Sequence, residues 1–223
     1  MMNLFKKKIL LLSILALIAQ ISFSQEIRVN TYGGYVFKDK VDSYYSSSSY
    51  YSGQIQDGAR WGGGIEYVIP GIGGLEIQYL RQNTNAPTVY SDVIHSGGQL
   101  QKTDFDLRLN WLMLNSTRYF PVSEQLEPFA GFGLGMGIFS LTNPDTNNER
   151  SATKFAYSFR GGINLWLGNN LAFRAQTSLF SAVQSMGGSL YFGSGGSGAG
   201  LSSYSSMFQF GFDGGLVFRI PME

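Results

Sequence analysis

The sequence predicts an all-β protein, an eight-stranded antiparallel up-and-down transmembrane β-barrel. Three observations support this fold class: an export signal at the N-terminus, strands with one apolar and one charged face, and connections that alternate between long and short. The segment 104–111 shows the second feature, because charged or amide side chains alternate there with large apolar ones. In a strand, such alternation places the two kinds of side chain on opposite faces.

The first 24 residues have the features of a secretory signal. Three lysines at positions 6–8 precede an apolar run over residues 9–19, and small residues follow it. We expect cleavage before Gln25, so that residues 1–24 are a signal peptide and residues 25–223 form one barrel domain. The apolar run is shorter than the roughly 20 residues that a membrane helix requires, so strands would have to carry the mature chain across a bilayer.

Composition narrows the range of functions. The 16 basic residues less the three lysines of the signal leave 13 against 15 acidic ones, and this balance argues against nucleic acid as a partner. The 29 glycines, 13 tyrosines and 17 phenylalanines suit tight turns and aromatic-rich strands better than helices. With no cysteine and one histidine, we expect neither a disulfide framework nor a metal site, and no motif calls for a cofactor.

Alternation of side chains predicts the eight strands in order along the chain. In the fourth strand it is lost after Trp111, where Leu112, Met113 and Leu114 follow one another, so we expect a bulge or the end of the membrane zone there. Long loops and short turns join the strands alternately, which places both termini on the periplasmic side and the long loops outside the cell. The predicted strands cover residues 26–37, 59–69, 74–84, 102–114, 127–141, 152–167, 171–183 and 204–220, with turns at 70–73, 121–125 and 168–170.

The two faces of these strands carry different chemistry. Lipid would meet the apolar face, and a narrow lumen would hold charged residues of both signs, whereas a soluble lipid-binding barrel requires the reverse polarity. The predicted outward residues include Tyr35, Trp61, Ile65, Ile77, Phe105, Leu107, Leu109, Trp111, Phe159, Phe173 and Phe212. The predicted inward charges are Glu26, Arg28, Arg60, Glu66, Glu76, Asp104, Asp106, Arg108, Lys154, Arg160, Arg174, Asp213 and Arg219.

Most of the inward charges are predicted to form an ion-pair network in the lumen, since a buried charge is tolerated only when it is paired. Strand register suggests one layer in which three arginines face Glu66 and Glu76, and a second layer nearer the middle. The network is either a structural plug or a gated ion path, and the narrow bore of eight strands favours the plug. Its predicted first layer is Arg28, Arg174, Arg219, Glu66 and Glu76, and its second is Asp106, Arg108, Arg160 and Asp213.

The segment 118–139 contains an aromatic pair that leads into a turn, then a proline-aromatic pair, then glycines at every second position. It resembles the middle turn and fifth strand of the small OmpA-like outer-membrane barrels. This resemblance implies the barrel fold and no particular function. Many members of that family end on an aromatic residue that the assembly machinery reads, whereas three further residues, 221–223, lie beyond the segment around Phe218 here.

The glycines of this segment, at positions 131, 133, 135 and 137, do not form a nucleotide-binding loop. Their spacing of two lacks the strand-to-helix switch and the register of glycines that such a loop requires. We expect them instead to keep one inward strand face small and so to make room for arginines across the lumen.

The long loops have the Tyr/Ser/Gly composition of adaptable binding surfaces. The expected partners are outer-membrane lipid and lipopolysaccharide, and a surface glycan or a partner membrane protein. Solvated low-complexity loops whose aromatic residues lie at the lipopolysaccharide interface are the alternative. The candidate recognition residues are Tyr44, Tyr45, Tyr50 and Tyr51 in the first loop and Tyr191 and Phe192 in the fourth.

Together these features predict a non-enzymatic outer-membrane protein with a structural role or a recognition role through its external loops. One alternative is a small pore or an accessory subunit of a transport or secretion complex. Another is a rim-site enzyme acting on lipid, which would need His95 beside Asp92 and Ser96. A flexible loop supports a preorganised site poorly, so no catalytic residue is predicted.

Overall fold

The computed structural model describes residues 25–45, 49–92, 100–145, 147–183, 190–191, 198–199 and 207–222, and the predicted signal peptide lies outside them. Every regular element in these residues is a strand, and no helix among them is long and apolar enough to cross a membrane. The strands are β1 (Glu26–Val36), β2 (Asp39–Tyr45), β3 (Ser49–Ile55), β4 (Gly58–Ile69), β5 (Gly73–Asp92), β6 (Leu100–Tyr119), β7 (Leu126–Thr142), β8 (Glu149–Trp166), β9 (Leu171–Ala182), β10 (Leu190–Tyr191), β11 (Gly198–Ala199) and β12 (Met207–Pro221).

Eight of these strands close into a barrel. β1 pairs with β4 on one side and with β12 on the other, and antiparallel pairing continues in both directions until β5 meets β6. Closure pairs the backbone groups of the wall with one another, as lipid requires. The predicted eight-stranded antiparallel barrel is therefore confirmed. We call the end with the chain termini and the short turns the turn end, and the opposite end the loop end.

The first short turn shows how the chain reverses at the turn end. Gly71 and Gly73 have φ angles of 79° and 145°, which side chains with a Cβ rarely adopt. Arg118 of the neighbouring hairpin donates hydrogen bonds to the carbonyls of Gly71 and Ile72, the former at 2.8 Å. The predicted turn at 70–73 is thus a defined reversal that a cationic side chain also stabilises.

The barrel strands agree with the predicted segments to within a few residues, with two exceptions. β5 continues to Asp92 instead of ending near residue 84. β6 begins at Leu100 and ends at Tyr119, and so extends beyond the predicted segment 102–114 at both ends. Their pairing is continuous from Gly74 opposite Thr117 to Ser91 opposite Leu100. This hairpin therefore stands well beyond the rest of the wall at the loop end.

A second hairpin, β2–β3, lies in a region that the sequence predicted as an irregular loop. It prolongs the β1–β4 hairpin in the same register, and β3 pairs with β5 from Gly53 opposite Thr88 onward. That pairing is one residue out of step with the pairing of β4 and β5, so a bulge lies at Gln56 and Asp57. We call residues 39–45, 49–55, 86–92 and 100–105, which form four adjacent strands, the loop-end sheet.

The outer face of the barrel carries an apolar belt. Ile65 and Ile77 have 63% and 64% of their surface exposed, values that suit contact with acyl chains and not with water. Toward the loop end, four aromatic rings of β1, β12 and the residue after β1 pack together with centroids 5.3 to 5.9 Å apart. Aromatic rings favour the membrane–water interface, so this group marks a border of the belt. Its members are Tyr35, Phe37, Phe210 and Phe212.

One predicted assignment of faces is wrong. The apolar residues of β6 before Leu112 lie inside the barrel, and the charged residues between them lie outside. We infer that this part of the wall stands in water, where a strand directs its polar face outward and its apolar face toward a core. The residues concerned are Phe105, Leu107, Leu109 and Trp111, which are buried, and Asp104, Asp106 and Arg108, which are not.

Polarity reverses along β6 without any break in the strand. Beyond Trp111, Leu112 and Leu114 point outward, and Asn115 and Thr117 are buried inside. Pairing with β7 runs without interruption from Asp106 to Tyr119, so the described strand has no bulge here. Of the two sequence-based explanations for the apolar run at 112–114, the end of the membrane zone is the one that fits.

Candidate functional site

The barrel interior near the turn end contains a group of ion pairs around Arg28. Its Nε donates to Glu26 at 2.6 Å, and its two Nη atoms donate to the Glu127 carboxylate at 2.8 and 3.1 Å. The same guanidinium lies over the rings of Tyr119 and Trp166, at 4.4 and 5.1 Å from their centroids. Two carboxylates and two aromatic rings thus hold one buried cation, which offsets the cost of its desolvation.

Glu76 is the centre of a second group, one layer farther from the turn end. Arg160 forms an ion pair with its carboxylate, the Tyr32 hydroxyl donates to it at 2.6 Å, and Asn30 Nδ2 donates to it at 2.7 Å. Thr117 accepts a hydrogen bond from the other Nη of Arg160. All of these side chains are buried, so the ion pair is satisfied in the absence of bulk water.

Glu66 lies beside this group and is paired with Arg174. Their charged atoms are 3.7 Å apart, and the hydroxyl of Tyr119 connects them by donating to Glu66 at 2.6 Å and accepting from Arg174 at 3.2 Å. Arg174 also donates to the Tyr32 hydroxyl at 3.0 Å, which links the two carboxylate groups into one network. We call the part of the interior that holds the groups around Arg28, Glu76 and Glu66 the turn half.

A single ion pair lies above the turn half. Arg60 donates to the Asp213 carboxylate at 2.7 and 2.8 Å, and Ser178 and Gln176 donate to the same carboxylate at 3.0 and 3.2 Å. The guanidinium of Arg60 also lies over the ring of Phe180 at 4.8 Å. Arg60 therefore lies at the border between the charged interior and an apolar one.

The interior toward the loop end, which we call the loop half, is an apolar core. Trp111 packs against Phe139 and Phe180 with ring centroids 5.3 and 5.1 Å apart. Such a core is typical of soluble proteins and not of a lumen that conducts ions. The buried members of this cluster are Tyr32, Ile55, Leu80, Ala86, Phe105, Leu107, Leu109, Trp111, Met113, Phe139, Leu141, Ala156, Phe180 and Ala182.

The structure separates the residues of the predicted ion-pair network. Arg219 lies at the rim of the turn end, where it pairs with Glu26 at 2.7 Å. Asp106 and Arg108 lie outside the barrel, and Arg108 pairs with Glu149 there with both side chains about half exposed. The prediction is wrong for these two, because their strand reverses its polarity beyond the membrane. The residues found together inside are Arg28, Glu66, Glu76, Arg160, Arg174 and Asp213.

The pairing within the network also differs from the predicted layers. Arg28 binds Glu26 and Glu127 in place of Glu66 or Glu76, and Arg160 belongs to the group around Glu76, not to a second layer. Glu127 is absent from the predicted inward charges, although the predicted fifth strand begins at this residue. Its inward position follows from the same alternation that places Gly131 and Gly133 inside.

The glycines of β7 have the expected effect. A Cβ at Gly133 would overlap the Asn115 and Ser158 side chains, and one at Gly131 would lie 3.0 to 3.2 Å from the Arg160 side chain. These neighbours are buried polar groups that have no other place in a narrow lumen. The small strand face thus makes room for the hydrogen-bonded network.

An open recess of about 410 Å³ lies at the turn end. Arg28, Tyr119 and Glu127 line it together with the turn at 70–73 and Arg219. Because Arg28 is itself buried and held by two carboxylates, the recess ends at the first group of ion pairs.

The candidate recognition residues of the first long loop lie in the loop-end sheet. Tyr44 is the cross-strand partner of Tyr50, and Tyr51 is the partner of Tyr90. Tyr45 is the cross-strand partner of Ser49. In the fourth loop, Tyr191 belongs to β10 and pairs with Gly198 of β11, whereas Phe192, His95 and Ser96 lie outside the described residues. No group of three or more metal-ligand side chains occurs in the part of the chain that the structure describes.

Comparison with known proteins supports the fold. No family model matches the chain, and no curated protein sequence is similar enough to be counted as a relative. Neisserial surface protein A is 11% identical over 89% of this chain and 97% of its own, with a TM-score of 0.52. The outer membrane protein OprG from Pseudomonas aeruginosa is 10% identical over 89% and 96%, with a TM-score of 0.50. The outer membrane protease OmpT from Escherichia coli is 10% identical over 89% and 98%, with a TM-score of 0.49.

The closed antiparallel wall, the apolar belt and the ion pairs inside give this chain the fold of a small eight-stranded transmembrane β-barrel, a fold it shares with Neisserial surface protein A and OprG. At these identities the likeness shows the fold alone. The resemblance that segment 118–139 carries is therefore confirmed for the fold, and the function has to be argued from the chain itself.

Proposed function

We propose that this protein is a non-conducting, non-enzymatic barrel that presents a recognition surface at its loop end. It lies in the outer membrane of a Gram-negative-type bacterium, with both termini periplasmic and the loop-end sheet outside the cell. The long connections at one end and the short turns at the other support this orientation. Acyl chains and lipopolysaccharide surround the apolar belt.

The loop-end sheet is the observation that carries the proposal. A flexible loop would lose conformational entropy on binding, whereas β2 and β3 are held in register by β1, β4 and β5. Tyr44 and Tyr50 are cross-strand partners in the register of this hairpin, and Tyr45 and Tyr51 pair with Ser49 and Ser43. Tyrosine offers a large contact area with a hydroxyl group at low entropic cost, which suits a glycan or a partner membrane protein.

Substitution of the four tyrosines tests this role. A variant with Tyr44, Tyr45, Tyr50 and Tyr51 changed to Ser, and a control with Asn83 and Asn85 changed to Ser on the exposed outer face of β5, would both be expressed in native cells. We expect both barrels to assemble, as judged by heat-modifiable migration. Surface adhesion and partner recovery by affinity purification should be lost only in the tyrosine variant. Equal adhesion and recovery for both variants and the wild type would contradict the proposal.

The filled interior supports the non-conducting part of the proposal. Glu66, Glu76 and Arg174 are fully buried in the turn half, and Trp111 and Phe139 are fully buried in the loop half. An ion would have to displace paired charges and then cross an apolar core. Planar-bilayer recordings of the refolded protein should therefore show no steady large openings. Such openings would favour the small pore, whose entrance would be the recess at the turn end.

The non-enzymatic part of the proposal is tested at the single histidine. We expect His95→Ala to leave the lipid composition of the outer membrane unchanged, because a connecting segment with Gly97 and Gly98 beside the histidine supports a preorganised site poorly. A change in acyl-chain or headgroup composition that depends on His95 would favour the rim-site enzyme.

A further inference from the structure

The recess at the turn end keeps one positive charge that its own acids do not balance. Its charged lining consists of three arginines and two glutamates. Glu26 accepts a hydrogen bond from Arg28 Nε at 2.6 Å and lies 2.7 Å from Arg219 Nε. Glu127 accepts hydrogen bonds from both Nη atoms of Arg28. Arg118, the third arginine, has no acid within ion-pair distance among the described residues, so the recess carries one net positive charge.

The guanidinium of Arg118 is held in place by neutral groups. Its Nη1 donates to the carbonyls of Gly71 and Ile72, at 2.8 Å to the former. Nε and Nη2 of the same guanidinium have no acceptor in the part of the chain that the structure describes. These two nitrogens form an edge through which an arginine binds a carboxylate by two parallel hydrogen bonds. The recess therefore has a fixed cation whose carboxylate-binding edge is free.

Apolar groups lie beside this cation. Ile72 lines the recess with 56% of its surface exposed, and its carbonyl is one of the two that hold Arg118. Pro70 and Pro121 also line the recess. Its volume of about 410 Å³ lies in the range of roughly 300–1,000 Å³ that is typical of small-ligand sites. Because the recess lies at the mouth of the barrel, a ligand there leaves the buried ion pairs of the turn half in place.

We propose that this recess binds the C-terminal residue of a partner protein, whose carboxylate pairs with the free edge of Arg118 and whose apolar side chain packs against Ile72. A chain end is the part of a protein that can carry a carboxylate and an apolar side chain on one Cα atom. The single net charge favours this monoanion over a phosphate group with two charges. A free amino acid is disfavoured, because its ammonium group would meet the positive recess. That the partner is periplasmic rests on the orientation proposed above.

A short peptide that ends in phenylalanine, acetyl-Ser-Ala-Ala-Phe, is a suitable probe. It would be titrated into the refolded full-length mature barrel in nanodiscs, with ¹³C-labelled isoleucine methyl groups, and NMR would follow the Ile72 methyl resonance. We expect a saturable shift of this resonance and none of that of Ile55, which is buried in the loop half. The same peptide with a C-terminal amide should bind at least about tenfold more weakly, because it lacks the charge that Arg118 recognises. Equal affinity for the carboxylate and the amide would overturn the proposal, and this comparison needs no variant to refold.

Arg118→Gln removes the cation and should lower the affinity for the free carboxylate by roughly tenfold or more. The matched control is Arg150→Gln, which removes an exposed arginine of β8 at the loop end and should bind as the wild type does. A peptide that ends in glycine, acetyl-Ser-Ala-Ala-Gly, should bind at least about fivefold more weakly, because it has no side chain to pack against Ile72. The variant without the four loop-end tyrosines should bind as the wild type does, so this proposal and the recognition role of the loop-end sheet fail independently. No saturable shift of Ile72 in the wild type, unchanged affinity of Arg118→Gln, or equal affinity for the two chain ends would overturn the proposal.

Discussion

The turn half and the loop half of the barrel interior are built in opposite ways. The turn half consists of buried ion pairs such as those of Glu76 with Arg160 and of Glu66 with Arg174. The loop half is an apolar cluster in which Trp111 packs against Phe139 and Phe180. The outer face of the wall shows the opposite pattern at each height. The apolar Leu112 and Leu114 point outward from the wall that surrounds the turn half, and the polar Asp106 and Arg108 point outward from the wall that surrounds the loop half.

This contrast shows that the surroundings of the wall decide which face of a strand becomes the core. Where acyl chains surround the barrel, apolar side chains gain nothing by moving inward, so the interior is free to hold paired polar groups. Where water surrounds it, the hydrophobic effect directs the same kind of side chain inward. β6 crosses both regions in one unbroken strand. Its outer face changes from polar to apolar between Asn110 and Leu112, and its inner face changes from apolar to polar between Met113 and Asn115.

The largest effect is expected from filling the turn half. Gly133→Leu would force a side chain into the space of the buried Asn115 and Ser158, so the polar network would be displaced and the barrel should not refold. Heat-modifiable migration after refolding measures this. Gly33→Leu is the control, because the outer face at Gly33 has open space. Refolding of the Gly133 variant in wild-type yield would show that the turn half is not closely packed.

Removal of one partner of a buried pair should have the next largest effect. Glu76→Gln leaves Arg160 without its counter-ion and should lower the free energy of unfolding by about 3–5 kcal/mol, as measured by urea titration in lipid vesicles. The double variant Glu76→Gln/Arg160→Met removes both charges and should lose much less. If the single and double variants lose the same amount, pairing is not what stabilises this half.

In the loop half, the prediction concerns packing and not charge. Leu109→Ala removes a fully buried side chain and should lower the free energy of unfolding by about 2–5 kcal/mol. Asp106→Ala changes an outward neighbour on the same strand and should change it by no more than about 0.5 kcal/mol. Urea titration of both variants measures the difference. A larger loss of stability for Asp106→Ala than for Leu109→Ala would support the sequence-based assignment, in which Asp106 points inward and Leu109 outward.

The smallest effect is expected at the exposed ion pair. Arg108→Met removes the pair with Glu149 and should cost less than about 1 kcal/mol, and this small loss should disappear in high salt. The loss caused by Glu76→Gln should persist in the same salt, because buried pairs are screened little. Urea titration at about 0.1 and 1 M salt compares the two, and equal salt sensitivity would contradict their assignment to opposite sides of the wall.

Sequence reasoning succeeded where one rule applies along a whole strand. Alternation located all eight barrel strands and the inward positions of Arg28, Arg160 and Arg174. It failed where the apolar face of a strand points inward and not outward, so Phe105 and Trp111 were assigned to the outer face of β6. The run at 112–114 was the only sign of that change, and its meaning depended on where the membrane ends. The pairing of β3 with β5 was missed because Tyr- and Ser-rich composition is shared by strands and loops.

By itself the sequence determined that strands cross the membrane, how many of them there are, and that charges of both signs lie inside. These properties follow from side-chain alternation, which depends only on neighbours along the chain. The tertiary structure alone decided which charges meet, since Arg28 and Glu127 are brought together by the closure of the wall. It also decided which side of β6 faces water and that Lys154 has no partner, because both depend on the height of a residue in a closed barrel.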